Sequence, residues 1–185
     1  MGAIDFTTVE VWTRGSLVTF YLLFVIELKT RLVHFAGCSP SPNEAWMKQI
    51  ARNLTDPFDG FLAGKHYLLM DRDGKFCESF RYRVEDAGVK PLRLPPRSPD
   101  LNCYIERFMR SLKQECLSRL IFFGETSLRN AVRQFVDHHY QHERNHQGLG
   151  NRILEPGDEV GQGTGDVQCR ERLGGMLRYY FRVAA

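Results

Sequence analysis

The sequence lacks a long apolar run. Its longest uncharged apolar stretch, residues 17–26, stops at Glu27 and is about half of the roughly 20 residues that a membrane-spanning helix requires. We therefore interpret this stretch as a buried strand. The N-terminus also lacks a basic region followed by an apolar segment and a small-residue cleavage site, so nothing in it directs export. We expect a cytoplasmic protein without a membrane partner.

Paired or regularly spaced cysteines are absent as well. The five cysteines are odd in number and scattered, and no two of them have the CxxC spacing. This pattern argues against a disulfide framework and against a zinc ribbon. We expect reduced and mostly buried thiols.

A strong charge of one sign is also missing, because the net charge is only +3. The distribution of charge says more than the total. Residues 89–119 contain seven Lys or Arg and three acids, a local balance of +4 that exceeds the value for the whole chain. The seven are Lys90, Arg93, Arg97, Arg107, Arg110, Lys113 and Arg119. One face of the protein is therefore predicted to be basic.

Hydrophobic periodicity and chain breakers predict an α/β domain with the element order βββαβαβ. The predicted strands are residues 3–12, 17–28, 32–36, 67–70 and 89–94. One predicted helix opens at 42–44 and ends by Asp56-Pro57, and a second covers 76–87 before Gly88. We expect a mixed five-stranded sheet flanked by helices.

The second half of the chain is predicted to be helical. Three prolines within residues 95–99 require a shaped loop, and helices are predicted over about 103–120 and 126–143. The glycine-rich stretch 157–165 predicts a linker. We therefore divide the chain into a core of residues 1–156 and a linker with a short tail, residues 157–185. Whether the apolar tail docks on the core or on a second subunit stays open at this stage.

Three acids stand at positions where carboxylates could perform chemistry. Asp5 lies inside the first strand, Asp71 ends an unbroken apolar strand, and Glu106 borders the apolar stripe of a helix. Each also has an ordinary interpretation. Asp5 could face solvent near a frayed end, Asp71 could be a turn or N-cap residue, and Glu106 could form a solvated pair with Arg110.

Taken together, these acids indicate metal-dependent phosphoryl transfer. Three converging carboxylates would repel one another unless a cation neutralised them. Hard oxygen ligands select magnesium or manganese. Two such ions can activate a water or a 3′-hydroxyl on one side and stabilise a departing 3′-oxygen on the other, without a protein nucleophile.

Histidines offer a second possible metal site. His138, His142 and His146 recur every four residues, a spacing that can ligate zinc on a helix. No Glu follows His138 as in HExxH, and no cysteine lies near. Helix capping or phosphate contacts are the simpler interpretation.

Four ordered motifs give the chain a resemblance to a known family. They are Ala-Ile-Asp-Phe-Thr at 3–7, Leu-Met-Asp-Arg-Asp-Gly-Lys-Phe at 69–76, Ser-Pro-Asp-Leu-Asn at 98–102 leading to Ile-Glu-Arg-Phe, and His-Glu-Arg-Asn-His-Gln-Gly-Leu at 142–149. Over residues 3–156 the chain resembles the integrase core of insertion-sequence transposases and retroviral integrases. The family places roughly 35 residues between its second and third acids, and this chain has the same spacing.

The resemblance implies a ribonuclease H-like fold, whose element order is also βββαβαβ. It further implies a catalytic DDE triad of Asp5, Asp71 and Glu106 that binds two Mg²⁺ or Mn²⁺ ions. Asp73 stands where many relatives have glycine, so it is an alternative to Asp71. Arg110, one turn after Glu106 in this pattern, is expected to contact DNA.

Lys113, two turns after Glu106, matches a second basic position that contacts DNA in the family, and Arg107 completes the expected DNA contacts. The implied activity is cleavage and strand transfer of DNA. The implied partners are transposon ends and target DNA, on which the chain is expected to form a homo-oligomer. Nucleoid association is expected if the source is bacterial. Complete transposases of this kind usually carry a helix-turn-helix region before the catalytic strand, and none precedes Asp5 here. We therefore expect that a separate chain could supply it.

Two other functions stay open. One is a catalytically silent or truncated DNA-binding remnant of a mobile element. The other is a ribonuclease H-like nuclease, although a third acid on a late helix followed by basic residues favours the integrase arrangement.

Overall fold

The computed structural model describes residues 1–95 and 102–183. Its strands are β1 (Gly2–Trp12), β2 (Leu17–Glu27), β3 (Val33–Ser39), β4 (Tyr67–Met70), β5 (Lys90–Arg93), β6 (Phe122–Phe123), β7 (Val167–Arg172) and β8 (Leu177–Arg182). Its α-helices are α1 (Glu44–Leu54), α2 (Glu78–Asp86), α3 (Cys103–Glu115) and α4 (Gly124–Arg133). None of the helices in these residues is long and apolar enough to cross a membrane.

The main sheet has the order β3-β2-β1-β4-β5, with β6 paired to the far end of β1. The first three strands form an antiparallel meander, whereas β4 and β5 run parallel to β1. This is the predicted mixed sheet and the predicted βββαβαβ order. The two-residue strand β6 is an addition that the sequence pattern did not predict.

Both faces of the sheet are covered, and β2 shows why its sequence is an unbroken apolar run. Leu22, Phe24 and Ile26 belong to the cluster on the face that α3 and α4 cover. The alternating residues Leu23 and Val25 belong to the cluster on the face that α1 and α2 cover. Since successive side chains of a strand point to opposite faces, a strand buried on both sides needs apolar residues at every position.

The two helices of the second half differ from the predicted ones in their bounds and in their helix type. The helix predicted to reach residue 120 ends at Glu115, and a 3-10 turn, Leu117–Arg119, follows it. The helix predicted over 126–143 begins at Gly124 and widens into a π-helical segment, Gln134–Glu143. The predicted loop at 95–100 lies largely outside the described residues.

The C-terminal tail forms a hairpin of β7 and β8 that packs on the core. Leu177 is buried within the cluster of α3 and α4, and the Leu173 backbone N–H donates to Gln134 Oε1 at 3.2 Å. The tail therefore docks on its own core, which answers the question that the sequence left open. The division of the chain at residue 156 stays a prediction.

Candidate catalytic site

Asp5 and Asp71 lie on adjacent strands at the same level of the sheet. The parallel ladder of β1 and β4 ends at the pair Ile4 and Met70, so Asp5 and Asp71 are the next residues after this pair in the sequence. Neighbouring strands lie about 4.8 Å apart. Alternation along β1 places Asp5 on the same face as Ala3, which is the face covered by α3.

The loop after β4 distinguishes Asp71 from Asp73. Asp71 Oδ1 accepts a hydrogen bond from the Asp73 backbone N–H at 3.0 Å. Asp73 in turn pairs with the Lys75 ammonium and accepts from the Lys75 backbone N–H at 2.9 Å. Asp73 therefore already has a cationic partner, whereas no lysine or arginine of the described residues pairs with Asp71. Asp71 and Asp73 therefore differ in their surroundings, and the assignment of Asp71 stays a prediction.

Glu106 stands in the first turn of α3, where a negative charge is favoured by the helix dipole. The helix is held on the sheet by its apolar side, with the rings of Phe108 and Phe24 5.1 Å apart. Glu106 itself is exposed. The helix thus delivers an exposed carboxylate to the face of the sheet that carries Asp5.

Electrostatics connect these acids. The pKa of Asp5 is raised from 3.8 to about 6, mainly by burial. A hydrogen bond from the Phe6 backbone N–H opposes this shift, and the charges of Asp71, Glu106 and Asp73 add to it. All three predicted acids are therefore close enough to interact through their charges. A site that disfavours one more negative charge is one that a cation would stabilise.

The donor set fits magnesium or manganese by its chemistry, since every member is a hard carboxylate oxygen. The three carboxylates do not surround a common position, however. Among residues 1–95 and 102–183, no three His, Cys, Asp or Glu side chains lie close enough together to hold a metal ion. The structure therefore brings the carboxylates to one region without forming a finished metal site.

The histidines of the C-terminal segment contact backbone carbonyl groups. His142 Nδ1 lies 2.8 Å from the Glu155 carbonyl oxygen, and His146 Nε2 lies 2.8 Å from the Tyr140 carbonyl oxygen. Burial lowers the pKa of His146, which favours its neutral form. These contacts support a structural role for His142 and His146.

A network of ion pairs connects the C-terminal end of α3 with residues that follow α4. Arg144 donates to Glu115 at 2.7 Å, and His139 Nε2 lies 3.6 Å from the same carboxylate. Although burial would raise it, the pKa of Glu115 is held at about 2 by the neighbouring His139 and by the hydrogen bonds and charge of Arg144. Arg172 binds the buried carboxylate of Glu143 through two nitrogens, at 2.7 and 2.9 Å. The members of this network are far apart in the chain, so local sequence patterns do not predict it.

The predicted DNA-contacting residues separate onto two flanks of α3. Arg110 and Lys113 are exposed on the flank of Glu106, one and two turns further along. Arg107 instead lines a cleft of about 700 Å³ together with Arg31 and Arg144. Neither Arg31 nor Arg144 was predicted as a site residue, although Arg144 lies within the motif at 142–149 that carries part of the resemblance.

Comparisons with known proteins agree with this architecture. Residues 87–153 match the family model of the integrase core domain, a segment that includes Glu106 but neither aspartate. A search of curated proteins found no match. The likeness of the chain to integrase cores therefore rests on residues 87–153 and on solved structures.

Two solved structures illustrate the likeness. The catalytic core domain of BIV integrase is 15% identical with a TM-score of 0.52, over 83% of this chain and 89% of that one. A chain of the simian T-cell lymphotropic virus intasome in complex with PP2A regulatory subunit B56 gamma is 9% identical with a TM-score of 0.57, over 98% of this chain and 66% of that one. These likenesses confirm the ribonuclease H-like fold of integrase catalytic cores and the resemblance noted from the sequence.

Proposed function

We propose that the chain is a transposase or integrase catalytic core that cleaves and joins DNA strands, with Asp5, Asp71 and Glu106 as its metal-binding catalytic acids. The observation that carries this proposal is the placement of the three acids: Asp5 and Asp71 directly follow the paired residues of β1 and β4, and Glu106 lies in the first turn of the helix α3 that covers the Asp5 face. The integrase core match at residues 87–153 supports the same class of function.

The chain's own residues would hold the reacting groups in place. Bound Mg²⁺ or Mn²⁺, held by the three carboxylates, would supply the positive charge that activates the attacking hydroxyl and stabilises the departing 3′-oxygen. Asp5 is fixed by the sheet, with its Oδ1 accepting from the Phe6 backbone N–H at 2.8 Å. Glu106 is exposed in the first turn of α3, so its carboxylate is free to take part in binding the ions. Arg110 and Lys113 would neutralise phosphates of the DNA beside it.

The partners are proposed on the same basis. DNA, both as transposon ends and as target, is the proposed substrate, and we propose that several copies of the chain assemble on it. End recognition by a separate helix-turn-helix subunit and nucleoid association in a bacterial source remain part of the proposal.

The test uses joining of a labelled oligonucleotide with a free 3′-hydroxyl to plasmid DNA, in the presence of Mn²⁺ or Mg²⁺. Asp71→Asn and Glu106→Gln keep the shape of each side chain but remove the charge that the cation needs, so joining should fall by at least about a hundredfold, equivalent to several kcal/mol of transition-state stabilisation. Asp73→Asn is the matched neighbour, and we expect it to retain most of the activity. Near wild-type joining by either of the first two variants would show that the assigned acid is wrong.

A catalytically silent DNA-binding remnant is the second candidate. The observation that favours it is that no three metal-binding side chains of the described residues are drawn together. The same assay separates the two proposals, because a remnant would bind DNA but join no strands at any metal concentration. A ribonuclease H-like nuclease would instead hydrolyse RNA–DNA hybrids without joining.

A further inference from the structure

A basic cleft lies on the side of α3 that faces away from Arg110 and Lys113. It is bounded by the first half of α3, the turn between β2 and β3, and residues 144–149, and it has a volume of about 700 Å³. Arg31, Arg107 and Arg144 line it, one from each of these segments, and we call it the arginine cleft. None of the described residues that line it is acidic.

Arg31 is held in an unusual backbone conformation at the cleft. Its φ of 68° lies in the left-handed region, which costs a non-glycine residue about 1–2 kcal/mol. Its guanidinium lies 3.2 Å above the centre of the Tyr104 ring and donates to the Leu28 carbonyl. A guanidinium has five N–H donors, so several remain for a ligand. The side chain is therefore positioned before any ligand arrives.

Gly148 lies against the end of the Arg107 side chain. A Cβ built on Gly148 would lie 3.3 Å from Arg107 Nη1. The backbone of Gly148 is not in the positive-φ region that favours glycine, so the close approach is what a side chain here would disturb. The absence of a side chain at 148 keeps this part of the cleft open beside the guanidinium.

Two of the three cationic side chains have no counter-charge in the described part of the chain. Arg144 pairs with Glu115 at 2.7 Å, whereas no carboxylate there pairs with Arg31 or Arg107. Both unpaired arginines line the same cleft, which also contains the amide side chains of Asn145 and Gln147. A concave site with two uncompensated guanidinium groups favours a polyanion, because guanidinium matches phosphate oxygens in pairs.

We propose that the arginine cleft binds the sugar–phosphate backbone of DNA, as a second contact separate from the flank that carries Arg110 and Lys113. The choice of DNA among polyanions rests on the proposed function, because Arg107 directly follows Glu106 in α3. A strand in the cleft would pass the N-terminal end of the helix next to the candidate catalytic acid. Contacts to phosphates position a duplex without reading its sequence.

The test is the salt dependence of DNA binding, measured by fluorescence anisotropy on a labelled duplex of random sequence. EDTA is present, so the measurement does not depend on catalysis. Each lost phosphate contact should lower the slope of log affinity against log salt by about 0.9, so Arg31→Ala with Arg107→Ala should lower it by about 1.8 and weaken binding about tenfold or more at 0.1 M salt. Arg52→Ala with Arg83→Ala is the matched control, since both arginines are exposed on helices of the opposite face. The control should leave the slope within about 0.3 of the wild-type value.

A second variant keeps both charges. Gly148→Leu fills the cleft beside Arg107 and should also weaken binding and lower the slope, while thermal unfolding followed by circular dichroism checks that each variant is folded. Wild-type slopes in both folded cleft variants would overturn the inference. The inference would also be overturned if the cleft variants lost a binding of polyglutamate peptide that the wild type shows, while their DNA binding stayed unchanged. That result would favour an acidic protein partner.

The two proposals can fail separately. Joining that depends on Asp71, together with cleft variants that bind DNA normally, would leave the proposed function intact and reject the cleft. Cleft-dependent DNA binding by a wild-type protein that joins no strands would support the cleft and reject the proposed function.

Discussion

Removing Arg172 should detach or destabilise the C-terminal hairpin. The carboxylate of Glu143 lies at the end of the π-helical segment with its side chain only 1% exposed, and Arg172 binds it through two nitrogens at 2.7 and 2.9 Å. Arg172→Ala would leave this carboxylate buried with a weaker set of partners. The hairpin would also lose its main polar attachment to the core.

The magnitude follows from the burial of the pair. Removing one partner of a buried ion pair costs about 3–5 kcal/mol, because the remaining charge is not solvated. Arg170 lies 3.5 Å from the same carboxylate and Arg172 is itself 19% exposed, so the lower end of the range applies. We expect a loss of about 3 kcal/mol, which lowers the melting temperature of a domain of this size by about 6–12 °C.

Thermal and urea unfolding at pH 7.5 measure the loss, and hydrogen exchange locates it. If the hairpin opens locally, amide protection will fall over residues 167–182 before the sheet is affected. The control is Arg178→Ala on the same hairpin, whose partner Glu171 is 53% exposed, and this change should cost less than about 0.5 kcal/mol. Equal effects of the two substitutions would refute the reasoning. Replacing both Arg172 and Glu143 with methionine should recover most of the loss.

Further measurements address the acids and the basic flank. Because the pKa of Asp5 is raised to about 6, mainly by burial, the folded protein should lose stability as pH rises from about 4 to 6. Asp5→Asn should therefore be more stable than wild type by up to about 3 kcal/mol at pH 7.5 in EDTA, but not at pH 4. Equal urea midpoints of the variant and the wild type at both pH values would contradict this. Although burial would raise the pKa of Glu115, His139 and Arg144 hold it at about 2. The contribution of Glu115 to folding stability, about 2 kcal/mol, is therefore present above about pH 4.5 and is lost toward pH 2. Glu115→Gln should flatten this pH dependence in urea unfolding. Arg110→Ala with Lys113→Ala should lower the salt slope of DNA binding by about 1.8 on terminal-repeat and random duplexes alike, and an unchanged slope would place the DNA elsewhere.

Most of the α/β architecture could be predicted because its signals are local. The apolar run 17–26 and the stretch 67–70 each carry the pattern of a strand buried on both faces, and the structure contains β2 and β4 there. Helix ends were less accurate. Nothing in the periodicity marks Glu115 as the last α-helical residue, since the 3-10 turn that follows continues the apolar spacing through Leu117.

The C-terminal hairpin was not predicted, because its strands have little local apolar alternation. Residues of β7 are mostly exposed, and the hairpin is attached through Leu177 and the Arg172 pair rather than through a continuous apolar face. A strand of this kind depends on contacts with the π-helical segment. The sequence preceding it, rich in glycine, carries only the signal of a linker.

The sequence by itself determined which residue types could perform the chemistry, because an aspartate inside an apolar strand and a glutamate on a helix with basic neighbours are unusual locally. Only the tertiary structure decided that Asp5 and Asp71 follow the same register pair, and that Asp73 is paired with Lys75. The arginine cleft was likewise beyond local analysis. Its residues come from positions 31, 107 and 144, and spacing along a chain does not report which distant segments pack together.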